Sequence, residues 1–373
     1  MKDIEETIII QNVTSPPDFI SVGRDWSFFG DVKYTAASRT QHQRLNQSMS
    51  DTDPVNRYLA LASIVDDEKA FLIQAIVNGT EIPAVSDDYL QLYAKILTDT
   101  TLSPATRALF LNVHEAIPSR GDLGHHYQAI ADAREIILTA VYTKHGQVIE
   151  TMYNDLLELS KKKQNKPQID GLMERPLLYV LYSVLAIGGK LDRLENDLQQ
   201  LLTSTAMSDR YFALRSILEL KTVAVEKKKQ IQNDIKEEWS SHPIGCEQYI
   251  QCIANCDCNE TTTYIRELVN EDFFNMNLAG HARTVARGWS ANRKRCLMTD
   301  AGLELTKELF HQIGQINQMS AYSFLSSFGD LRKFEDSVQQ KLVETLEEMK
   351  SNLDPDKQQS LTNQLIILLK KTA

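Results

Sequence analysis

Residues 53–79 read DPVNRYLALASIVDDEKAFLIQAIVNG, and this stretch decides the fold. Asp53 is a residue type that caps helix N-termini, and Pro54 suits a first helical turn, where its missing N–H costs no hydrogen bond. Apolar residues then recur at intervals of three and four, the spacing of one helical face. The pattern stops at Asn78-Gly79, because glycine favours the left-handed conformation that ends helices. The stretch therefore predicts helical structure that starts at Val55, resumes at Ala70 and ends at Asn78-Gly79.

Further amphipathic segments follow toward the C-terminus, separated by short polar breaks. Ser86 and Ser103 are predicted caps of the next two helices, and a break is expected near His145-Gly146. The later segments predicted as helices are 89–97, 109–113, 129–142, 148–159, 177–187, 191–202, 210–220, 223–239, 247–254, 261–269, 303–313, 319–328, 333–349 and 358–370. Such a series predicts an all-α fold, an irregular α-α superhelix of HEAT or armadillo type, over residues 51–373.

Toward the N-terminus, residues 1–50 are predicted to form a separate segment. Thr7 to Val13 is short and β-branched, and Pro16-Pro17 cannot continue a regular element, so we expect one β-strand there. A single strand cannot bury itself and needs a pairing partner or a helical surface. Asp18 to Asp53 is irregular and aromatic, which predicts a linker pinned to the helical part.

Composition excludes several classes of protein. The chain has 373 residues, 42% of them hydrophobic, and a formal net charge of -10. An acidic chain is a poor general nucleic-acid binder, because that affinity comes mainly from Lys and Arg on phosphates. No apolar run approaches the ~20 residues that span a bilayer, and the N-terminus lacks the features of a secretion signal. We therefore predict a cytoplasmic protein without nucleic-acid or membrane partners.

The sequence carries no recognisable catalytic motif. It has no phosphate-binding glycine loop, no H-E-x-x-H pair and no G-x-S-x-G elbow. Four of its five cysteines fall between Cys246 and Cys258 at spacings that do not match zinc sites, so buried packing thiols are the main expectation and a metal site the minor one. The lysine-rich run from Lys161 to Pro167 is predicted to be a solvated connector, with a basic docking patch as the alternative.

Chemistry concentrates in the basic stretch from Phe273 to Trp289. A helix beginning at Asn277 would place Arg283 and Arg287 on one face and Val285 with Trp289 on another. Three further cations follow directly, at residues 293–295. This is the candidate binding site of the chain.

The order of segments resembles the C-terminal portion of bacterial alanyl aminopeptidases (aminopeptidase N). Residues 7–34 look like the family's last sandwich strand and crossover, and 274–283 like a segment of its helical domain. Residues 330–373 look like the family's C-terminal end. The resemblance implies that zinc, the H-E-x-x-H helix and the G-A-M-E-N loop belong to a catalytic domain outside this chain. No cofactor is then expected within the chain itself.

The same resemblance implies a role for the helical part. It would close over the catalytic domain as a bowl and shape the chamber that peptides enter. Arg283 falls where the family has a chamber arginine, and a second such arginine falls near Phe324, so that contact is expected to be lost. Arg287 is a further candidate. The alternative is an exposed arginine pair that caps a neighbouring helix or binds Asp272 or Asp300.

Two functions remain open from the sequence. In the first, the chain is a non-catalytic domain that completes a zinc aminopeptidase. In the second, it is a free-standing helical-repeat scaffold that binds a peptide or protein partner on its concave face. A cysteine-based metal protein is a weaker third reading, which would require stoichiometric metal in the purified protein.

Overall fold

The computed structural model describes residues 9–26, 40–163, 171–329 and 331–370, and these form a series of α-helices with no β-strand among them. Short 3-10 helices lie at Arg24–Trp26 and Leu331–Lys333. The first nine α-helices are α1 Gln41–Ser50, α2 Pro54–Asn78, α3 Asp87–Thr98, α4 Pro104–Leu111, α5 Tyr127–Lys163, α6 Arg175–Ile187, α7 Leu191–Leu201, α8 Met207–Glu219 and α9 Val225–Trp239. The others are α10 Pro243–Asn255, α11 Thr261–Val269, α12 Ala279–Ala291, α13 Arg293–Cys296, α14 Asp300–Ile316, α15 Gln318–Ser327, α16 Asp336–Ser351 and α17 Gln359–Lys370.

The all-α prediction is confirmed, and so are several predicted helix ends. The Asp53 carboxylate accepts hydrogen bonds from the N–H groups of Val55 and Asn56 at the start of α2. Gly79 ends that helix with a φ of 62°, in the left-handed region. Ser86 and Ser103 cap α3 and α4 through their hydroxyl groups. Local capping chemistry therefore fixes these boundaries.

The strand predicted for Thr7 to Val13 is not formed over Ile9 to Val13, and residues 7 and 8 lie outside the described residues. Ile9 and Ile10 are each 78% exposed. A strand needs a neighbour to receive its backbone hydrogen bonds, and none of the described residues offers one here. β-Branched composition alone was therefore a misleading signal.

The irregular linker predicted for Asp18 to Asp53 is wrong at α1, which packs against α2. The hydroxyl of Thr40 caps α1 in a reciprocal capping box with Gln43. The linker is nevertheless held to α2 where it is described, since the Asn56 amide donates to the Ser21 hydroxyl at 2.8 Å. The predicted domain boundary between residues 50 and 51 stays a prediction.

α5 corrects the predicted break near His145-Gly146, because the helix continues unbroken through both residues. A glycine inside a helix costs only about 1 kcal/mol, and α5 packs against α2, α3 and α6, so tertiary contacts override the local preference. α5 also includes Lys161 to Lys163, which were predicted to lie in a connector; the rest of that connector is outside the described residues.

The buried side chains form two hydrophobic cores that share one helix. The first core runs from Leu61 to Val223, and the second from Leu214 to Leu368. α8 contributes Ala213 and Ile217 to the first core and Leu214 and Leu218 to the second. Each pair is spaced by four residues, so α8 has two adjacent apolar stripes and joins the two halves.

The two halves also meet away from α8. The Tyr127 ring, at the start of α5, lies 6.1 Å from the Phe334 ring, and the guanidinium of Arg293 lies 6.0 Å from the Tyr127 ring centre. His125 packs edge-on against the same Phe334. The start of α5 therefore contacts the C-terminal half at two residues, Arg293 and Phe334.

Candidate functional site

The candidate site is built on α12, which begins at Ala279, two residues after the predicted start. Its buried side includes Val285 and Trp289, neither of which has exposed surface, whereas Arg283 and Arg287 are exposed. The predicted division of this helix into an apolar and a cationic face is therefore confirmed.

α12 lies between α10 and α15 and contacts both. The Asn292 amide, just past the end of α12, donates to the carbonyl of Cys256 at the end of α10 at 2.9 Å. Cys296 ends α13, the short helix after α12; burial raises the pKa of its thiol, and the Ser327 hydroxyl at the end of α15 partly offsets this rise. The C-terminal ends of all three helices thus lie at one edge.

Small residues bring α10 and α12 close together. A Cβ atom added to Gly288 would lie 2.6 Å from the Cβ atom of Ala254. Gly280, two turns earlier, similarly faces the side chain of Glu247. Glycine at both positions removes the side chain that would otherwise separate the two helices.

The outer side of α10, α12 and α15, which we name the α10–α12–α15 face, carries few charges. Its helices contain only three charged residues, Glu247, Arg283 and Arg287. α9, α14 and α16 instead carry many, several of them in ion pairs such as Lys236–Glu271 and Lys307–Glu348. The two arginines therefore dominate the charge of this face in a chain whose net charge is negative.

Neither Arg283 nor Arg287 has an ion pair or side-chain hydrogen bond within the described part of the chain. Asp300, one of their possible partners from the sequence, pairs instead with Lys341. An exposed guanidinium without an acidic neighbour keeps its five N–H donors available. Such a group can hold a carboxylate with two parallel hydrogen bonds.

The other cations of the stretch serve a different role. Lys294 and Arg295 both bind the Asp257 carboxylate in the loop after α10, and Arg295 also donates to the Asn259 side chain at 2.9 Å. Burial raises the pKa of Asp257, but the hydrogen bonds from Lys294 and Arg295 outweigh burial and hold it below its usual value. These two cations therefore fasten α13 to the α10–α11 loop, and the basic cluster read from the sequence divides into two parts.

Phe324 has no exposed surface and belongs to the second core. It is one of the buried side chains of α15, the helix that packs against α12. We therefore leave Phe324 out of the exposed site and assign it to the support of the helix layer.

His281 and Cys246 form a buried pair that the sequence did not reveal. The Cys246 thiol lies 3.4 Å from Nε2 of His281, and the Asn275 backbone N–H donates to Nδ1 of the same ring at 3.1 Å. Since Nδ1 accepts, the proton of the neutral ring is on Nε2, pointing at sulfur. Burial lowers the pKa of His281 and raises that of Cys246, so both are neutral.

A cysteine nucleophile needs the opposite arrangement, in which a free imidazole nitrogen accepts the thiol proton. Nε2 already carries a proton, and protonating Nδ1 as well would set it against the Asn275 N–H. The pair therefore joins α10 to α12 and does not activate the thiol.

The cysteines are all buried and free, as the main expectation had it. The sulfur atoms of Cys256 and Cys258 lie 3.4 Å apart. The hydrogen bond between them raises the pKa of Cys256 and lowers that of Cys258. Within the described ranges, no group of three or more His, Cys, Asp or Glu side chains is arranged to hold a metal ion. These residues thus do not fit a zinc site.

The chain matches a family model over residues 41–365, described as a domain of unknown function (DUF3458_C) with ARM repeats. It belongs to this ARM-repeat family. The predicted armadillo-type arrangement is confirmed by this match. The resemblance to the helical part of an aminopeptidase is confirmed at the level of the fold. No curated protein matches the chain.

Among solved structures, the ARM-repeat chain is similar to Legionella pneumophila aminopeptidase A, crystallised in complex with aspartic acid. The TM-score is 0.71 at 17% sequence identity, so the likeness concerns the fold. The match covers 90% of this chain but only 39% of that aminopeptidase. This chain thus spans well under half the length of its structural relative.

No helix among the described residues of this ARM-repeat chain is both long and apolar enough to cross a membrane.

Proposed function

We propose that the chain is the non-catalytic helical part of an aminopeptidase N-type zinc peptidase, where it covers the catalytic domain and shapes the chamber through which peptides reach the zinc. The observation that carries this proposal is the fold match, in which 90% of the chain corresponds to 39% of an aminopeptidase. The remainder of such an enzyme would supply the zinc ligands, because the described residues here do not fit a metal site.

The α10–α12–α15 face is the proposed wall of that chamber. A peptide in transit carries a backbone and one C-terminal carboxylate, and a wall crowded with charges would bind some sequences and repel others. This face offers the two exposed arginines and almost no other charge. Arg283, with Arg287 one turn further along, is proposed to hold a peptide carbonyl or C-terminal carboxylate as a binding group and not as a catalyst.

The chain by itself is expected to have no aminopeptidase activity. Purified protein supplemented with zinc should release no chromophore from aminoacyl-anilide substrates above the rate in buffer, because a hydrolytic zinc site needs three protein ligands around an open position. A full aminopeptidase N-type enzyme at the same concentration serves as the positive control. Zinc-dependent turnover that a chelator abolishes would show that the chain contains its own catalytic centre.

Arg283→Ala is expected to weaken binding of peptides with a free C-terminal carboxylate at least fivefold. The guanidinium has no ion-pair partner among the described residues to release first, so its charge is available to the ligand. The measurement is an NMR or calorimetric titration with a tripeptide and, separately, with its C-terminal amide. The amide should bind the original chain with the same low affinity that the tripeptide acid has for the variant.

Lys350→Ala is the matched control, since it removes one exposed positive charge from α16, a helix outside the α10–α12–α15 face. It should leave the affinity for both peptides unchanged. Equal affinity of the acid and amide forms for the original chain would contradict the role given to Arg283.

A further inference from the structure

A groove of about 890 Å³ lies between the start of α3 with its preceding segment and the first half of α5. Its volume falls in the range typical of ligand pockets, roughly 300–1,000 Å³. Val85 and Leu90 line one side, and Ile136 and Ala140 line the other. These apolar side chains lie in a part of the molecule that neither the α10–α12–α15 face nor the proposed peptidase role uses.

The walls of the groove are fastened in position. Lys144 on α5 pairs with Asp87 on α3 at 2.5 Å, and the His145 ring bonds the carbonyl of Leu90 at 2.9 Å. The segment before α3 is held in turn by the Glu68 carboxylate of α2, which accepts from the backbone N–H of Ser86 at 3.2 Å. The groove is therefore already formed, and a ligand would not have to open it.

Acidic residues border the groove on both sides. Asp87 lies on the α3 side, and Asp132 and Glu135 lie on the α5 side. The one basic residue of the lining, Lys144, is paired with Asp87. Glu135 is exposed and has no ion pair among the described residues, so a negative charge faces solvent beside an apolar floor.

We propose that this groove binds a short cationic amphipathic peptide segment of a partner protein. Apolar side chains of the segment would cover Val85, Leu90 and Ile136, and its Lys or Arg residues would meet Asp132 and Glu135. This is the helix-in-groove mode, in which one apolar face supplies affinity and flanking charges supply specificity. A purely apolar small molecule would leave the carboxylates unused, and an acidic segment would be repelled by them.

The test uses the full chain and a fluorescently labelled amphipathic peptide of leucine and lysine, with a leucine and glutamate peptide of the same pattern for comparison. Fluorescence anisotropy should show saturable binding of the cationic peptide only. Raising the ionic strength should weaken it, because the charges on the groove's border are exposed.

The double variant Asp132→Lys/Glu135→Lys should weaken binding at least tenfold without disturbing the core. Its matched control is Glu344→Lys/Glu347→Lys, which makes the same charge change at the same spacing on exposed positions of α16. Ala140→Trp should also abolish binding while leaving every charge in place. Circular dichroism and melting curves establish that each variant is folded.

Binding of the two peptides with equal affinity would overturn the proposal, as would unchanged binding in the lysine double variant. Sedimentation of the chain alone provides a further test. A dimer that Ala140→Trp dissociates would show that a second copy of the chain occupies the groove, which would also overturn it. These results are independent of the zinc and carboxylate tests, because no variant here alters α12.

Discussion

Trp289→Ala is expected to lower the free energy of unfolding by about 3–5 kcal/mol, the range for truncating a large buried aromatic side chain. Trp289 has no exposed surface, and its indole N–H donates to the hydroxyl of Thr306 on α14 at 2.9 Å. The same hydroxyl donates to the carbonyl of Gly302 at 2.8 Å. Truncation would therefore leave a cavity between α12 and α14 and remove one partner of a buried hydroxyl.

Trp289→Phe separates the two effects. It keeps most of the ring and loses only the hydrogen bond and part of the volume, so about 1–2 kcal/mol is expected. Arg287→Ala, on the exposed side of the same helix, should change stability by less than about 0.5 kcal/mol.

Denaturant unfolding followed by circular dichroism measures these differences in unfolding free energy. The slope of the free energy against denaturant concentration is compared between variants, because separate unfolding of the two cores would change it. If Trp289→Ala were no more destabilising than Arg287→Ala, α12 would not be packed as described. The assignment of Arg283 and Arg287 to the exposed side of α12 would then no longer be supported.

Helix identity was largely readable from the sequence, because capping residues and apolar spacing are local properties of the chain. Asp53, Ser86, Ser103 and Gly79 each mark a boundary that the structure reproduces. Gly146, by contrast, led to the wrong prediction of a helix break. Its helix-breaking tendency is worth about 1 kcal/mol, less than the packing of a helix against several neighbours.

The candidate site was only half predictable. The exposed positions of Arg283 and Arg287 follow from helical geometry, but the division of the basic cluster does not. Whether Lys294 and Arg295 are free depends on Asp257, which is more than thirty-five residues away in sequence and reaches them only through the fold. Spatial proximity of this kind leaves no local pattern in a single sequence.

The groove beside α5 was missed for the same reason. Its two sides come from residues 83–90 and 132–144, and neither part looks unusual alone. Asp132 and Glu135 read as ordinary exposed positions of a helix until the apolar side chains opposite them are known. The cationic stretch drew attention because charge density along the chain is visible, whereas a surface shared by two segments is not.

Gly288→Ala is expected to destabilise the protein by about 1–3 kcal/mol, although alanine is the better helix former. The added methyl group would lie 2.6 Å from the Cβ atom of Ala254, closer than two carbon atoms can approach. Because the neighbouring atom sits directly on the α10 backbone, no side-chain rotation can relieve the overlap. The helices must move apart or the methyl group must be removed.

Ala254→Gly removes that methyl group and should therefore rescue Gly288→Ala. Alone, Ala254→Gly is expected to cost about 1 kcal/mol through lower helix propensity, but in the double variant the two helices only exchange a methyl group. The double variant should be more stable than the sum of the singles by about 2 kcal/mol, measured as a coupling free energy in denaturant unfolding.

If the effects of the two substitutions were additive, α10 and α12 would be farther apart at this point than described. The described separation places a Cβ atom added at Gly288 2.6 Å from the Cβ atom of Ala254. Gly288 lies one residue beyond Arg287 on α12. The close approach of the two helices at Gly288 therefore also sets the distance of Arg287 from α10. Coupling between Gly288 and Ala254 would therefore support the geometry on which the binding role of the α10–α12–α15 face depends.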